Sequence, residues 1–183
     1  MTIDNNDIKK PVIIGWGLAG TTLAWQFYFS KRNFSVYDSG INHSTRTAAG
    51  LVNPIVFKRL TKSWNADLLM PYAENFYTQI EEILQLKLLS RKNIYSVFSS
   101  VEDENNWSVK QGDDRYKNFI GQSEIKPIGN VQMPFGLGKV ITFGNLDTNL
   151  FLDESKKFFI KNGIQFSEKN FDYSEVENNQ NRT

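Results

Sequence analysis

Residues 12 to 20, Val-Ile-Ile-Gly-Trp-Gly-Leu-Ala-Gly, are an apolar run that breaks into three glycines, and they limit the possible folds more than any other stretch. Pro11 to Ile14 reads as a short buried strand. Leu18, Leu23, Ala24, Phe27 and Tyr28 then recur near helical spacing up to about Lys31. Phe34 to Asp38 reads as a second strand, so the whole is a β-α-β unit with G-x-G-x-x-G at its first turn. Gly15 permits the tight turn, Gly17 lets backbone approach a pyrophosphate, and Gly20 lets helix and strand pack closely, with Leu18 and Ala19 opening the helix. The free N–H groups and positive dipole end of that helix attract phosphate. Asp38 closes the second strand at about the 20-residue spacing of an acidic group that binds a ribose hydroxyl, and it also suits a plain turn in Asp38-Ser39-Gly40. An Asp here disfavours the extra phosphate of NADP, while NAD and FAD both stay open.

Composition removes whole classes of chemistry. The chain has 183 residues, 40% of them hydrophobic, enough for one domain or for one and a half domains of a larger fold. Twenty-one Lys and Arg against twenty Asp and Glu give a net charge of +1, which argues against an electrostatic grip on nucleic acid or an anionic membrane. There is no Cys, which excludes disulfides, thiolate catalysis and cysteine-ligated metals. The single histidine, His43, makes a zinc site or a Ser-His-Asp triad improbable, so no metal is expected. The polar N-terminus and short apolar run fall far below a signal segment or a membrane span of roughly 20 residues, and a cytoplasmic location is the default expectation.

The rest of the chain reads as alternating helix and strand. The stretch from Ser39 to Trp64 is poor in regular signals and too long for an idle connection. A helix is expected from about Leu68 to Leu89, with Pro71 in its first turn or kinking it, then a strand at 93–100 and a solvent-facing helix after it. Residues 111–130 are ambiguous. Residues 131–144 read as two strands around a glycine turn at Gly136 to Gly138. A helix capped by Asp147 or Thr148 and ending at Gly163 follows, then short strands at Ile164 to Phe166 and Phe171 to Val176. The polar end, Glu177 to Thr183, is of the kind that joins strands.

Residues 44–64, Ser-Thr-Arg-Thr-Ala-Ala-Gly-Leu-Val-Asn-Pro and onward, resemble the loop after the second strand in FAD-dependent oxidoreductases of the D-amino-acid oxidase superfamily, which includes glycine and sarcosine oxidases. The resemblance implies that Ala48, Ala49 and Gly50 lie along the pyrophosphate and flavin ring and lead into Asn53 and Pro54. Relatives that attach flavin through histidine carry it where Thr47 stands here, so noncovalent FAD is implied, with His43 an exposed loop residue. The specific part runs from Val12 to Pro54. Arg46, Lys58 and Arg59 lie in or just after this loop; they could face phosphate or a substrate anion, but read first as solvated surface charge.

The implied fold class is α/β, a Rossmann-like FAD-binding β-α-β with part of an inserted antiparallel-sheet substrate domain. The implied division is 1–64 for the FAD-binding unit and flavin loop, 65–144 for a partial substrate region, and 145–183 for the return to the cofactor domain. The implied reaction is oxidation of the C–N bond of an amino acid or related amine, the only partner being that small-molecule substrate. No catalytic acid, base or nucleophile can be named. Family members run to roughly twice this length, so the chain reads as the N-terminal part of such an enzyme. The neighbours on the other side of the first strand would then come from sequence after Thr183, and this chain alone is expected to be poorly soluble and to hold FAD weakly. An NAD-dependent dehydrogenase and an inactive FAD-binding fragment are the alternatives.

Overall fold

The structure is a computed structural model that describes residues 10–41, 44–124, 129–141 and 144–174. His43, the polar end of the chain and the last part of the strand expected at Phe171 to Val176 lie outside these residues. In chain order the first elements are β1 (Val12–Ile14), α1 (Leu18–Phe29), β2 (Ser35–Tyr37), α2 (Ser44–Thr47), β3 (Ile55–Val56), β4 (Thr61–Lys62) and α3 (Ala66–Leu84). They are followed by β5 (Leu89–Arg91), β6 (Ile94–Val97), α4 (Val101–Gln111), β7 (Ile120–Glu124), β8 (Leu137–Val140), β9 (Gly144–Leu146), α5 (Thr148–Lys161) and β10 (Gln165–Ser167). The chain divides into two compact units, Met1–Ala48 with Thr148–Thr183, and Ala49–Asp147.

The first unit is built on a parallel sheet in the order β1-β2-β10, with Ile13 and Phe166 both in register with Val36. α1 connects β1 to β2, as a parallel pair requires. Ile13 and Val36 are buried, whereas Val12 and Ile14, which point the other way, are exposed. The covered face meets an aromatic core. Trp25 of α1 stacks on Phe158 of α5 with ring centroids 5.0 Å apart, and its indole N–H donates to the buried Ser155 hydroxyl at 2.8 Å. α5 has the period that this packing needs, burying Phe151, Leu152, Ser155 and Phe159. It starts at Thr148 and ends before Gly163, whose positive φ lets Ile164 N–H reach back to the Phe159 carbonyl. Phe171 to Ser174 form no strand.

The second unit is antiparallel. β8 lies between β6 and β7, β5 pairs with β9, and β3 pairs with β4. Trp107 of α4 is fully buried against this sheet beside Phe98, Phe119, Ile120 and Val140, and its indole N–H donates to the Gly121 carbonyl at 3.1 Å. Two sequence expectations are corrected here. Gly136 to Gly138 is not a hairpin turn, because residues 131–136 form no strand and Gly138 sits inside β8, where a side chain would collide with the Trp107 ring. α3 begins at Ala66 and stops at Leu84 instead of running to Leu89. Gln85 adopts a left-handed conformation, and the buried Glu81 carboxylate accepts the N–H groups of Leu88 and Leu89 at 2.7 and 2.8 Å, turning the chain into β5. Pro71 therefore lies inside the helix.

Candidate functional site

The glycine turn of the first unit is shaped by three separate constraints. Gly15 N–H donates to the Tyr37 carbonyl at 2.7 Å, and its φ of +95° is one that residues with a Cβ avoid. Nothing lies within 4 Å of where its Cβ would be, so the space over it is open. Gly20 faces the opposite condition, since a Cβ there would collide with the Gly15 carbonyl. Gly17 is the N-cap of α1 with extended backbone and no capping side chain of its own. The first N–H of that helix, Leu18, is accepted instead by the hydroxyl of Thr45 at 3.1 Å.

Asp38 stands just past the end of β2 and turns back to the glycine turn, its Oδ1 accepting Trp16 N–H at 3.1 Å. Its own N–H donates to the Ser167 carbonyl of β10 at 3.0 Å, which fixes the carboxylate against the sheet. Trp16 faces inward, donating its indole N–H to the Leu152 carbonyl at 3.0 Å and packing edge-on to Phe166. A cavity of about 370 Å³ opens over this turn. It is lined by Gly15, Gly17 and Asp38, by Ser44 and Thr45 of α2, and by Lys169, Phe171 and Tyr173 after β10. A void of this size falls within the range of sites for small ligands.

Leu18 and Ala19 are exposed in the first turn of α1. Thr47 and Ala48 are also exposed, Thr47 donating to the Ser44 carbonyl at 3.2 Å. In the second unit, Ala49 and Gly50 run beside β9. Leu146 N–H donates to the Gly50 carbonyl at 2.8 Å, and the Asn145 side-chain amide donates to the Ala49 carbonyl. Gly50 has a φ of +67°, and a Cβ there would strike the Leu146 carbonyl oxygen, so this position must be glycine for packing alone. Asn53 and Pro54 build the β3–β4 hairpin, where Asn53 Oδ1 accepts Ile55 N–H at 2.9 Å. Lys58 and Arg59 are exposed on that hairpin. Arg46 is no free surface charge. It pairs with Asp153 of α5 at 2.6 Å, which holds the guanidinium above its usual pKa and the carboxyl below the usual carboxylate range.

Sequence reasoning missed Ser44, Thr45, Lys169, Phe171 and Tyr173 as cavity residues. The first two belong to the flavin-loop run and were legible there as hydroxyls ahead of Ala48. The other three come to the cavity only because β10 pairs with β2, a long-range event with no local signal. The donor set suits a dinucleotide: open space over a positive-φ glycine, a helix N-terminus and a carboxylate at the end of the adjacent strand. Among the described residues, no cluster of His, Asp and Glu could hold a metal ion, and no helix is long and apolar enough to cross a membrane.

No protein-family model matches the sequence. Among solved structures, the chain resembles iminodiacetate oxidase from Chelativorans sp. BNC1, with a TM-score of 0.59 and 18% identity over 86% of this chain and 46% of that one. It also resembles glycine oxidase from Bacillus cereus, with a TM-score of 0.50 and 15% identity over 88% of this chain and 46% of that one. The likeness is one of fold. The chain spans less than half the length of the solved structures it matches.

Proposed function

We propose that this chain carries the cofactor end of an FAD-dependent oxidoreductase acting on the C–N bond of an amino acid or related amine. The observation that carries this reading is the open turn, with Gly15 at φ +95° and free space above it, the N-terminus of α1 beside it, and Asp38 across it. The fold likeness to two enzymes named for the oxidation of iminodiacetate and glycine supports the substrate class, since both compounds are amines that carry carboxylates. The first unit supplies the Rossmann-like dinucleotide site, and the second supplies part of an antiparallel substrate region.

In this reading the backbone around Gly15 and Gly17 binds the pyrophosphate, with the first turn of α1, Leu18 to Gly20, supplying its dipole and the N–H groups of Ala19 and Gly20, while Leu18 N–H stays on the Thr45 hydroxyl. Asp38 orients the adenosine ribose by accepting from its hydroxyls, while Trp16 N–H keeps the carboxylate aimed. Thr47 and Ala48, at the end of α2 and just past it, offer small side chains to a flat ring. Thr47 has no side-chain nitrogen to form a covalent flavin link, so binding is noncovalent. When bound, FAD supplies the acceptor for a hydride from the carbon beside the amine, chemistry that no side chain here can perform.

The test is flavin binding by the full chain and by Gly17→Val, followed through quenching of free flavin fluorescence. The parent is expected to bind FAD in preference to NAD. The variant, whose branched side chain would press on the Thr45 hydroxyl and crowd the N-terminus of α1, is expected to lose binding while its helical circular dichroism survives. Equal flavin binding by parent and variant overturns the assignment, and preferential binding of NAD favours a dehydrogenase.

A further inference from the structure

Arg46 lies next to Thr45, and its side-chain hydrogen bonds run to α5, while the Asp38 carboxylate at the cavity adds a weaker electrostatic attraction. Its Nη2 donates to Asp153 Oδ1 at 2.6 Å and its Nη1 to Asn149 Oδ1 at 3.4 Å, while the Asn149 side-chain amide donates back to the Arg46 carbonyl at 3.2 Å. Both partners sit on one face of α5, four residues apart, so a single helix receives the side chain and the backbone of the same residue. α2 has only four residues, too few to hold its own shape. Yet its Thr45 hydroxyl must reach Leu18 N–H at 3.1 Å, and it sits so close over Gly17 that a Cβ added there would lie only 3.1 Å from that oxygen.

From this geometry we infer that Arg46 is a positioning residue for the dinucleotide site: clamped to Asp153 and Asn149, it holds the α2 turn so that Thr45 stays docked on the N-terminus of α1. The inference rests on the reading of the turn as a dinucleotide site, but it makes a different claim about it. A cationic residue at the mouth of a phosphate site would ordinarily be assigned to the phosphate. Here it is spent on α5, and its effect on the site passes through Thr45.

The test is a double-mutant cycle on the full chain with Arg46→Ala, Asp153→Ala, the double variant and the charge swap Arg46→Asp with Asp153→Arg. Two readouts are taken: the FAD dissociation constant and the hydrogen exchange rate of the Leu18 amide by NMR. For a partly exposed pair, each single variant is expected to weaken FAD and to speed Leu18 exchange by about two- to fivefold. The double variant is expected to be no worse than either single, and the charge swap to recover most of both, with the differences fading in high salt. If Asp153→Ala leaves Leu18 exchange unchanged, the clamp is refuted. If Arg46→Ala weakens FAD while Asp153→Ala tightens it, Arg46 is a phosphate ligand and the inference is likewise wrong. Should the parent bind no FAD at all, the dinucleotide reading fails, and Leu18 exchange in the same variants still decides whether the clamp exists.

Discussion

Gly15 in the first unit and Gly138 in the second are both indispensable glycines, and for opposite reasons. A Cβ on Gly15 would meet nothing within 4 Å, whereas a Cβ on Gly138 would run into the indole of Trp107. The two carboxylates differ in parallel. Glu81 is buried and fully engaged, accepting Leu88 and Leu89 N–H and pairing with Lys87 at 2.9 Å, while Asp38 stands at a cavity and accepts Trp16 N–H. Close approach inside the second unit is between parts of the protein. In the first unit the same residue types are arranged around space, and space bounded by N–H groups and a carboxylate is what a ligand site requires.

The largest effect expected from this contrast is at Trp107. Truncation to Ala removes a fully buried indole, and such changes typically cost about 3 to 5 kcal/mol. Denaturant titration with amide exchange should show the β6-β8-β7 sheet losing protection. Gly138→Ala should cost about 1 to 3 kcal/mol by overpacking and almost nothing once Trp107 is already Ala. Equal cost in both backgrounds would mean that Gly138 is required for some reason other than the indole.

Asp38→Ala probes the open side of the comparison. Stability should change little, but a charged acceptor facing a ribose is worth about 1.5 to 3 kcal/mol, or roughly one to two decades in FAD affinity. Calorimetric titration of FAD into parent and variant measures it. If affinity is unchanged while the Trp16 amide exchanges faster, Asp38 serves the turn alone.

What could be read from the sequence follows the range of the interactions involved. β1, α1, β2 and α5 were legible because each carries its own signal: an apolar run, a helical period, a glycine just past the end. The sheet order β1-β2-β10 leaves β1 at an edge among the described residues. The β3–β4 hairpin and β5 were missed because these strands are short and have neither the apolar run nor the glycine motif that marks β1. α3 was drawn too long because the hydrophobic period continues to Leu89, and the event that stops it, capture of two N–H groups by Glu81, is a tertiary one. In the site, the glycines and Asp38 were visible as a motif. The role of Arg46 was not, because Asn149 and Asp153 lie more than a hundred residues further on.

Glu81 supplies the smallest effect and the sharpest sign. Burial by itself would raise its pKa, but the Leu89 N–H, the Lys87 ammonium and the Leu88 N–H outweigh it, and the net shift is downward. A carboxyl whose folded pKa lies below its unfolded value stabilises the protein fully above the unfolded value, about 4.3 for Glu. That contribution is lost as pH falls through the folded pKa, because the unfolded chain takes up the proton first. Other carboxylates slope the same way, Asp113 most of all, its carboxyl held down to about 2 by Arg115. Glu81 is therefore isolated by difference, with denaturant midpoints of the parent and of Glu81→Gln compared from pH 7 to pH 3. The parent should be the more stable at pH 7, and the gap should narrow below about pH 4.3. A gap that stays constant over that range would show that the Glu81 charge contributes nothing and that only its shape closes the turn between α3 and β5.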